Sequence, residues 1–208
     1  MKKIIFLDTV ATGTNPDRCC IYRIGGIYTE DGVEKKRFEM RMRPFPNARI
    51  NDQSLYITGE TRASLTCYPS EAEVFGQFIS FLDGIIDVRN ARDKAYIAGF
   101  NVSSLDIPFI KEWFRRNGNE RFRDYFYVQN LDMMNIAAFA LVGLRDNMPD
   151  FHLETVARFL EIRHPRLSEY DSINNAKTSL EIYRKLQTTF GLSKCADTSE
   201  ATNITRNF

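Results

Sequence analysis

Three stretches of this 208-residue sequence carry residues whose type and placement suit chemistry. In Phe6-Leu7-Asp8-Thr9-Val10-Ala11-Thr12-Gly13 an acid closes a short apolar run and a tight turn comes next. Acids at strand ends of α/β sheets open into ligand crevices, so Asp8 is a candidate site residue. An acid standing alone there also serves as a plain cap for the following turn. In Ala98-Gly99-Phe100-Asn101-Val102-Ser103-Ser104-Leu105-Asp106-Ile107-Pro108-Phe109-Ile110 a strand runs into Gly-x-Asn and Asp106 opens a helix. The helix macrodipole by itself favours an acid at that point. The third stretch, Ser168-Glu169-Tyr170-Asp171-Ser172-Ile173-Asn174-Asn175-Ala176-Lys177-Thr178, leads into the last helix.

Other chemically able residues read as structural. Asp132 follows a strand pattern and suits a helix cap. His152 and His164 have no acid or thiol at metal-ligand spacing and read as structural or surface histidines. Trp113 and Phe114 read as core residues of the helix after Asp106, with base stacking as the lesser reading. In the second hairpin arm Arg37, Glu39, Arg41 and Arg43 alternate with Phe38, Met40 and Met42. That alternation gives one wet and one dry face, and the basic row reads as a solvated strand face rather than a phosphate track.

The elements that must position these residues follow from periodicity. Lys3 to Leu7 is a buried-strand pattern bounded by Asp8 and the turn-forming stretch 12–16. Cys20 to Thr29 and Val33 to Arg43 flank Glu30-Asp31-Gly32, a hairpin signal with Asp-Gly at its tip. Ser70 can cap a helix in which Val74, Phe75, Phe78, Ile79 and Leu82 recur at helical spacing. Further along, strands are expected at Ala95–Gly99 and Tyr125–Leu131. Helices are expected at Asp106–Arg116, Asp132–Val142, His152–Leu160 and Asn174–Phe190. Three strands followed by alternating helices and strands predict an α/β domain, a mixed sheet flanked by helices. The expected organisation is one domain over residues 1–190 and a polar tail over 191–208.

Composition narrows the function. Twenty-eight Lys and Arg against 27 Asp and Glu leave a net charge of +1, which excludes a histone-like polycation. Any grip on nucleic acid must therefore be local or carried by metal ions. Apolar residues at 43% and charged residues at 26% are those of a globular chain and exclude global disorder. No apolar run reaches the roughly 18 residues of a membrane span. The apolar run at the start is too short for a signal-peptide core. Cys19, Cys20, Cys67 and Cys195 form no Cys-x-x-Cys pair and are expected as reduced thiols of a cytoplasmic protein.

Taken in order, the three stretches resemble the motifs of the DEDDh 3′–5′ exonucleases. This is the superfamily of ribonuclease T and the DNA polymerase III proofreading subunit, with a ribonuclease H-like fold. Residues 6–13 are similar to F-x-D-x-E-T-T-G except at two places, and residues 99–109 to G-x-N-x-x-x-F-D-x-P-F with Leu105 for the aromatic. Tyr170 and Asn175-Ala176 sit in the register of H-x-x-x-x-D-A, and the stretch from Ile50 to Leu65 resembles the family's I-T-G linker. The resemblance covers residues 3 to 187. It implies four carboxylates around two divalent ions that activate a water and neutralise the scissile phosphate, with a histidine as general base.

Carried over by residue, that site is thin. Asp8 and Asp106 stand at two of the four acids. Val10 stands for the glutamate, Tyr170 for the histidine and Asn175 for the last acid. A sister class uses tyrosine in place of the histidine, but its final acid then falls on Asn174, also an amide. Asn175 keeps a carbonyl oxygen able to serve as a neutral ligand, whereas Val10 can neither bind a metal nor orient water. Losing the general base alone removes about 10²–10⁴-fold in rate. Glu169, Asp171 and Asp132 are the candidates for relocated ligands, and Asp171 is expected to point elsewhere on the helical entry.

The resemblance thus implies a degenerate exonuclease-fold protein with absent or vestigial hydrolysis. Mg²⁺ or Mn²⁺ is expected at Asp8 and Asp106 weakly or not at all. The expected partner is a single-stranded nucleic-acid 3′ end, contacted through Thr9, Ala11, Thr12 and Asn101, with a protein partner as a further expectation and no membrane. Two alternatives stand beside this reading: an active metal-dependent 3′–5′ exonuclease with relocated ligands, and a pure protein-interaction module.

Overall fold

A computed structural model describes residues 1–163 and 171–191. The chain opens with β1 (Lys3–Ala11), β2 (Ile21–Glu30) and β3 (Val33–Arg41), followed by α1 (Asp52–Ile57), α2 (Arg62–Thr66) and α3 (Glu71–Asp83). Then come β4 (Ala95–Gly99), α4 (Asp106–Arg116), the single turn α5 (Phe122–Tyr125), β5 (Leu131–Asp132) and α6 (Met133–Ala140). A 3₁₀ segment (Val142–Asn147), α7 (Leu153–Phe159) and α8 (Ser172–Thr189) complete the described chain. The five strands form one sheet in the order β3-β2-β1-β4-β5. β1, β2 and β3 pair antiparallel, while β1–β4 and β4–β5 are parallel. The sheet is therefore mixed, as the sequence predicts.

Local chemistry accounts for the elements. Asp31 and Gly32 both take positive φ (48° and 81°), which a two-residue hairpin with Glu30 facing Val33 demands. Ser70 caps α3 by accepting from the Glu73 N–H. Helices cover both faces of the sheet, so the inner strands β1 and β2 are buried nearly throughout rather than alternating. Ile5, Leu7, Ile24 and Tyr28 meet Phe75 and Phe78 of α3 and Trp113 and Phe114 of α4 on one face. Ile4, Phe6, Ile27 and Ala98 meet Ala176 and Leu180 of α8 on the other. Each Ile, Leu or Phe among them, where fully buried, contributes about 1.5–3 kcal/mol. Trp113 and Phe114, 0% and 1% exposed, are core residues. α6 and α7 pack on the far side of α8 through Met133, Ala137, Val156, Leu160, Ile182 and Leu186.

Three expected boundaries are corrected. The strand expected over Tyr125–Leu131 shrinks to Leu131–Asp132, with a lone bridge from Phe126 to Ala95. Tyr125 and Phe126 are apolar because their rings fill the space beside Phe114 and Phe122, not because they extend a ladder. β1 runs past Leu7 to Ala11, because β2 continues to pair with it. The last helix begins at Ser172, capped by Asp171, two residues before the predicted start. Among the described residues no helix is long and apolar enough to cross a membrane. The predicted tail from residue 192 onward, and Tyr170, His164 and Glu169, lie outside the described residues.

Candidate active site

The two partners of β1 end at different places. Its parallel pairing with β4 stops at Phe6 opposite Ala98, while its antiparallel pairing with β2 continues to Ala11 opposite Ile21. Asp8 thus lies beyond the carboxyl end of the parallel pair, where such sheets open, yet on a strand still held by β2. Across the ladder from Asp8 is Gly25. A Cβ at Gly25 would sit 2.4 Å from Ser172 Oγ and 2.9 Å from the Ile173 nitrogen, so the missing side chain lets the first turn of α8 seat on the sheet. This seating brings Asn175 and Asp171 toward Asp8.

The buried Asp8 Oδ2 has no hydrogen-bond partner. Burial pushes the Asp8 carboxyl well above the usual range, and the charges of Asp106 and Asp171 push the same way. Hydrogen bonding from the Asn175 side chain and the charge of Arg23 act against them. Asp171 spends its Oδ1 on the Ile173 N–H as the cap of α8. It does point into the helical entry, but its charge still reaches Asp8.

Asp106, in the first turn of α4, is 4% exposed. Its Oδ1 accepts from the Thr9 N–H at 2.7 Å and the Thr9 hydroxyl at 2.8 Å, which ties α4 to β1 one residue past Asp8. Burial pushes Asp106 up to about 7, opposed by the Thr9 donors and reinforced by the charge of Asp132. Asp132 is the cap predicted for α6, accepting from the Met134 N–H, and it does more. It also accepts from the Asn101 N–H and, through Oδ2, from the Ser103 N–H, both at 3.0 Å. The loop between β4 and α4, with Asn101 at φ 60°, is thereby fixed from behind.

The remaining residues of the first motif face inward. Val10, 6% exposed, packs in a separate apolar cluster with Tyr22, Leu55 and Leu65. Thr12 is fully buried. Its hydroxyl donates to the Arg49 carbonyl at 2.8 Å and accepts from the Cys20 N–H at 3.1 Å, stitching the turn to the linker. Thr9 and Ala11 are half-buried, with Ala11 against the main core. The structure thus brings Asp8, Thr9, Asp106 and Asn175 together at the end of the parallel pair.

A family model for exonucleases of the RNase T type matches residues 5–165. The chain belongs to this exonuclease family. Solved structures agree in fold. A product-bound exonuclease I is similar over 93% of this chain and 45% of its own, with TM-score 0.73 and 18% identity. E. coli exonuclease I in complex with a dT13 oligonucleotide is similar over 91% and 41%, with TM-score 0.70 and 19% identity. The zinc-bound form of the E. coli exonuclease I–ssDNA complex gives 93% and 42%, with TM-score 0.73 and 18% identity. This chain spans less than half the length of those proteins. No curated protein sequence matches it.

In this exonuclease-family chain the described oxygen donors around Asp8 are its own carboxylate, that of Asp106 and the side chain of Asn175. Among the described residues no group of three or more His, Cys, Asp or Glu side chains is placed to hold a metal ion. Asp8 has a buried oxygen without a hydrogen-bond partner, but the position two residues along is a valine packed against Tyr22, Leu55 and Leu65. Two carboxylates and an amide carry half the negative charge of four carboxylates, and hard cations are selected by oxygen-ligand count and charge.

Sequence reasoning overlooked one member of this neighbourhood. Arg23, 7% exposed, lies on β2 opposite Val10 and pairs with Glu60 at 2.9 Å. The available signal was a lone cation in the otherwise uncharged run Ile21-Tyr22-Arg23-Ile24-Gly25-Gly26-Ile27 of a strand covered on both faces.

Proposed function

We propose that this exonuclease-family domain binds the 3′ end of single-stranded nucleic acid and leaves it uncut or nearly so. The observation that carries this reading is the division of the first motif. Asp8 keeps an unpartnered, buried oxygen beyond the end of the parallel pair, while Val10, two residues on, packs in an apolar cluster. In this reading Asp8 and Asp106 are the remaining acids of the centre, and Asn175 and Val10 are its substituted positions. Tyr170, outside the described residues, takes the place of the base. Thr9 and Ala11 line the strand edge beside a terminal nucleotide. Thr12 and Asn101 act through the turns they hold, since Thr12 has no surface of its own. Mg²⁺ or Mn²⁺ at Asp8 and Asp106 is weak in this reading, because two carboxylates supply little of the charge and few of the oxygens that a hard cation takes.

The likeness to exonuclease I seen with dT13 supports single-stranded DNA as the first ligand to try. Fluorescence anisotropy with a labelled oligonucleotide, in EDTA and in Mn²⁺, tests the reading. A free 3′ hydroxyl end should bind more tightly than a 3′-blocked end, and binding should persist in EDTA. Equal affinity for both ends, or none at low salt, would overturn 3′-end recognition and favour a protein-interaction module.

A second reading, hydrolysis with a relocated ligand, draws on the charge that Asp171 exerts at Asp8. Asp171 caps α8 through Oδ1, so this reading assigns its second oxygen to the metal.

A further inference from the structure

β2 carries a single cation between its apolar and glycine neighbours, and the ladder defines where it lies. Residues opposed in an antiparallel pair project to the same face, so Arg23 shares a face with Val10 opposite it and with Asp8 diagonally across. Opposed Cβ atoms are about 4.5–5.5 Å apart and diagonal ones about 7–8 Å, within reach of a guanidinium. Arg23 is held in place there. Its Nη2 donates to Glu60 Oε1 at 2.9 Å, with both side chains less than a tenth exposed. Glu60 is in turn fixed by the Tyr68 hydroxyl at 2.8 Å and the Ser64 hydroxyl at 2.6 Å. The linker thus delivers a rigid counter-ion to a buried arginine, and the arginine's charge is felt at Asp8 in the direction that favours its carboxylate.

We propose that Arg23 is the resident cation of the Asp8–Asp106 pocket, so that a carboxylate placed at position 10 pairs with Arg23 instead of contributing to a metal site. This rests on the reading of the pocket as one that lacks its position-10 acid, and it goes further by coupling positions 10 and 23. Restoring glutamate at position 10 alone then fails to rebuild a cation site, because the new carboxylate lies directly across the ladder from a fixed guanidinium. A neutral residue at position 23 frees it.

Mn²⁺ is the probe, read by electron paramagnetic resonance of the free ion and by the metal-dependent shift of the thermal midpoint, neither of which needs activity. Val10→Glu should bind Mn²⁺ no better than the unaltered chain. Val10→Glu with Arg23→Gln should bind about 10–100-fold more tightly, the range of effects seen for residues that tune metal ligands from behind. Val10→Glu with Arg23→Lys should behave like Val10→Glu alone, because the charge remains. Should Arg23→Gln unfold the chain by orphaning Glu60, the pair Arg23→Gln and Glu60→Gln carries the same comparison without a buried unpaired charge. Equal Mn²⁺ affinity with arginine or glutamine at position 23 in the Val10→Glu background overturns the proposal. Hydrolysis by the unaltered chain would overturn the function proposed above and leave this comparison standing, so the two failures are distinguishable.

Discussion

Replacing Asp106 by asparagine should stabilise the protein at alkaline pH, by an amount that the burial of this carboxyl sets. Asp106 titrates near 7 in the folded chain, against about 3.9 for a solvated aspartate. Below pH about 4 the side chain is protonated both folded and unfolded and adds nothing to the difference. Between about 4 and 7 the unfolded chain has released the proton that the folded chain still holds, so stability falls as pH rises. Above about 7 the loss is complete, and at roughly 1.4 kcal/mol for each unit it amounts to about 4 kcal/mol. Asparagine cannot ionise, and its carbonyl can still accept from both Thr9 donors. Relaxation and water penetration around the charged carboxylate recover part of that cost, so about 2 kcal/mol is expected to be visible, a rise in midpoint of roughly 4–8 °C. Thermal and urea unfolding at pH 4, 6 and 8 measure it. The gap between Asp106→Asn and the unaltered chain should open from near zero at pH 4 to its full size at pH 8. A gap independent of pH, or a less stable Asp106→Asn at pH 8, would refute the reasoning.

Three other outcomes follow from the same geometry. Gly25→Ala places a Cβ 2.4 Å from Ser172 Oγ and 2.9 Å from the Ile173 nitrogen, which should cost about 1–3 kcal/mol and weaken oligonucleotide binding by lifting α8. Unfolding curves and anisotropy read the two effects. Asp132→Ala strips the acceptor from the Asn101, Ser103 and Met134 N–H groups, with an expected loss of about 3 kcal/mol and faster hydrogen exchange at residues 101–103. Oligonucleotide affinity should fall with salt by a slope of about −0.7 for each phosphate engaged, and a flat plot would speak against phosphate contact.

How far the sequence could be read depended on whether local chemistry decided the outcome. The Asp31-Gly32 hairpin and the Ser70 cap were legible because turn and cap chemistry is local. Asp8 was legible from the apolar strand it closes and Asp106 from the helix it opens, their pairing came from the resemblance of the two stretches to family motifs, and the Thr9 donors show how they are tied. The length of β5 was not legible, since Tyr125 and Phe126 owe their apolar character to rings that meet only in the fold. Arg23 was invisible for a related reason. Its partner Glu60 is 37 residues away, and only the β1–β2 register places it opposite Val10.

The claim of a pocket that holds an end without cutting it meets its most direct test in a single-turnover time course. Protein in excess over a 5′-labelled single-stranded oligonucleotide, with Mg²⁺ or Mn²⁺, is resolved on a sequencing gel. The account predicts full-length label throughout, at concentrations where anisotropy shows the strand bound. A ladder of products shortened one nucleotide at a time from the 3′ end, abolished by Asp8→Ala, would contradict it.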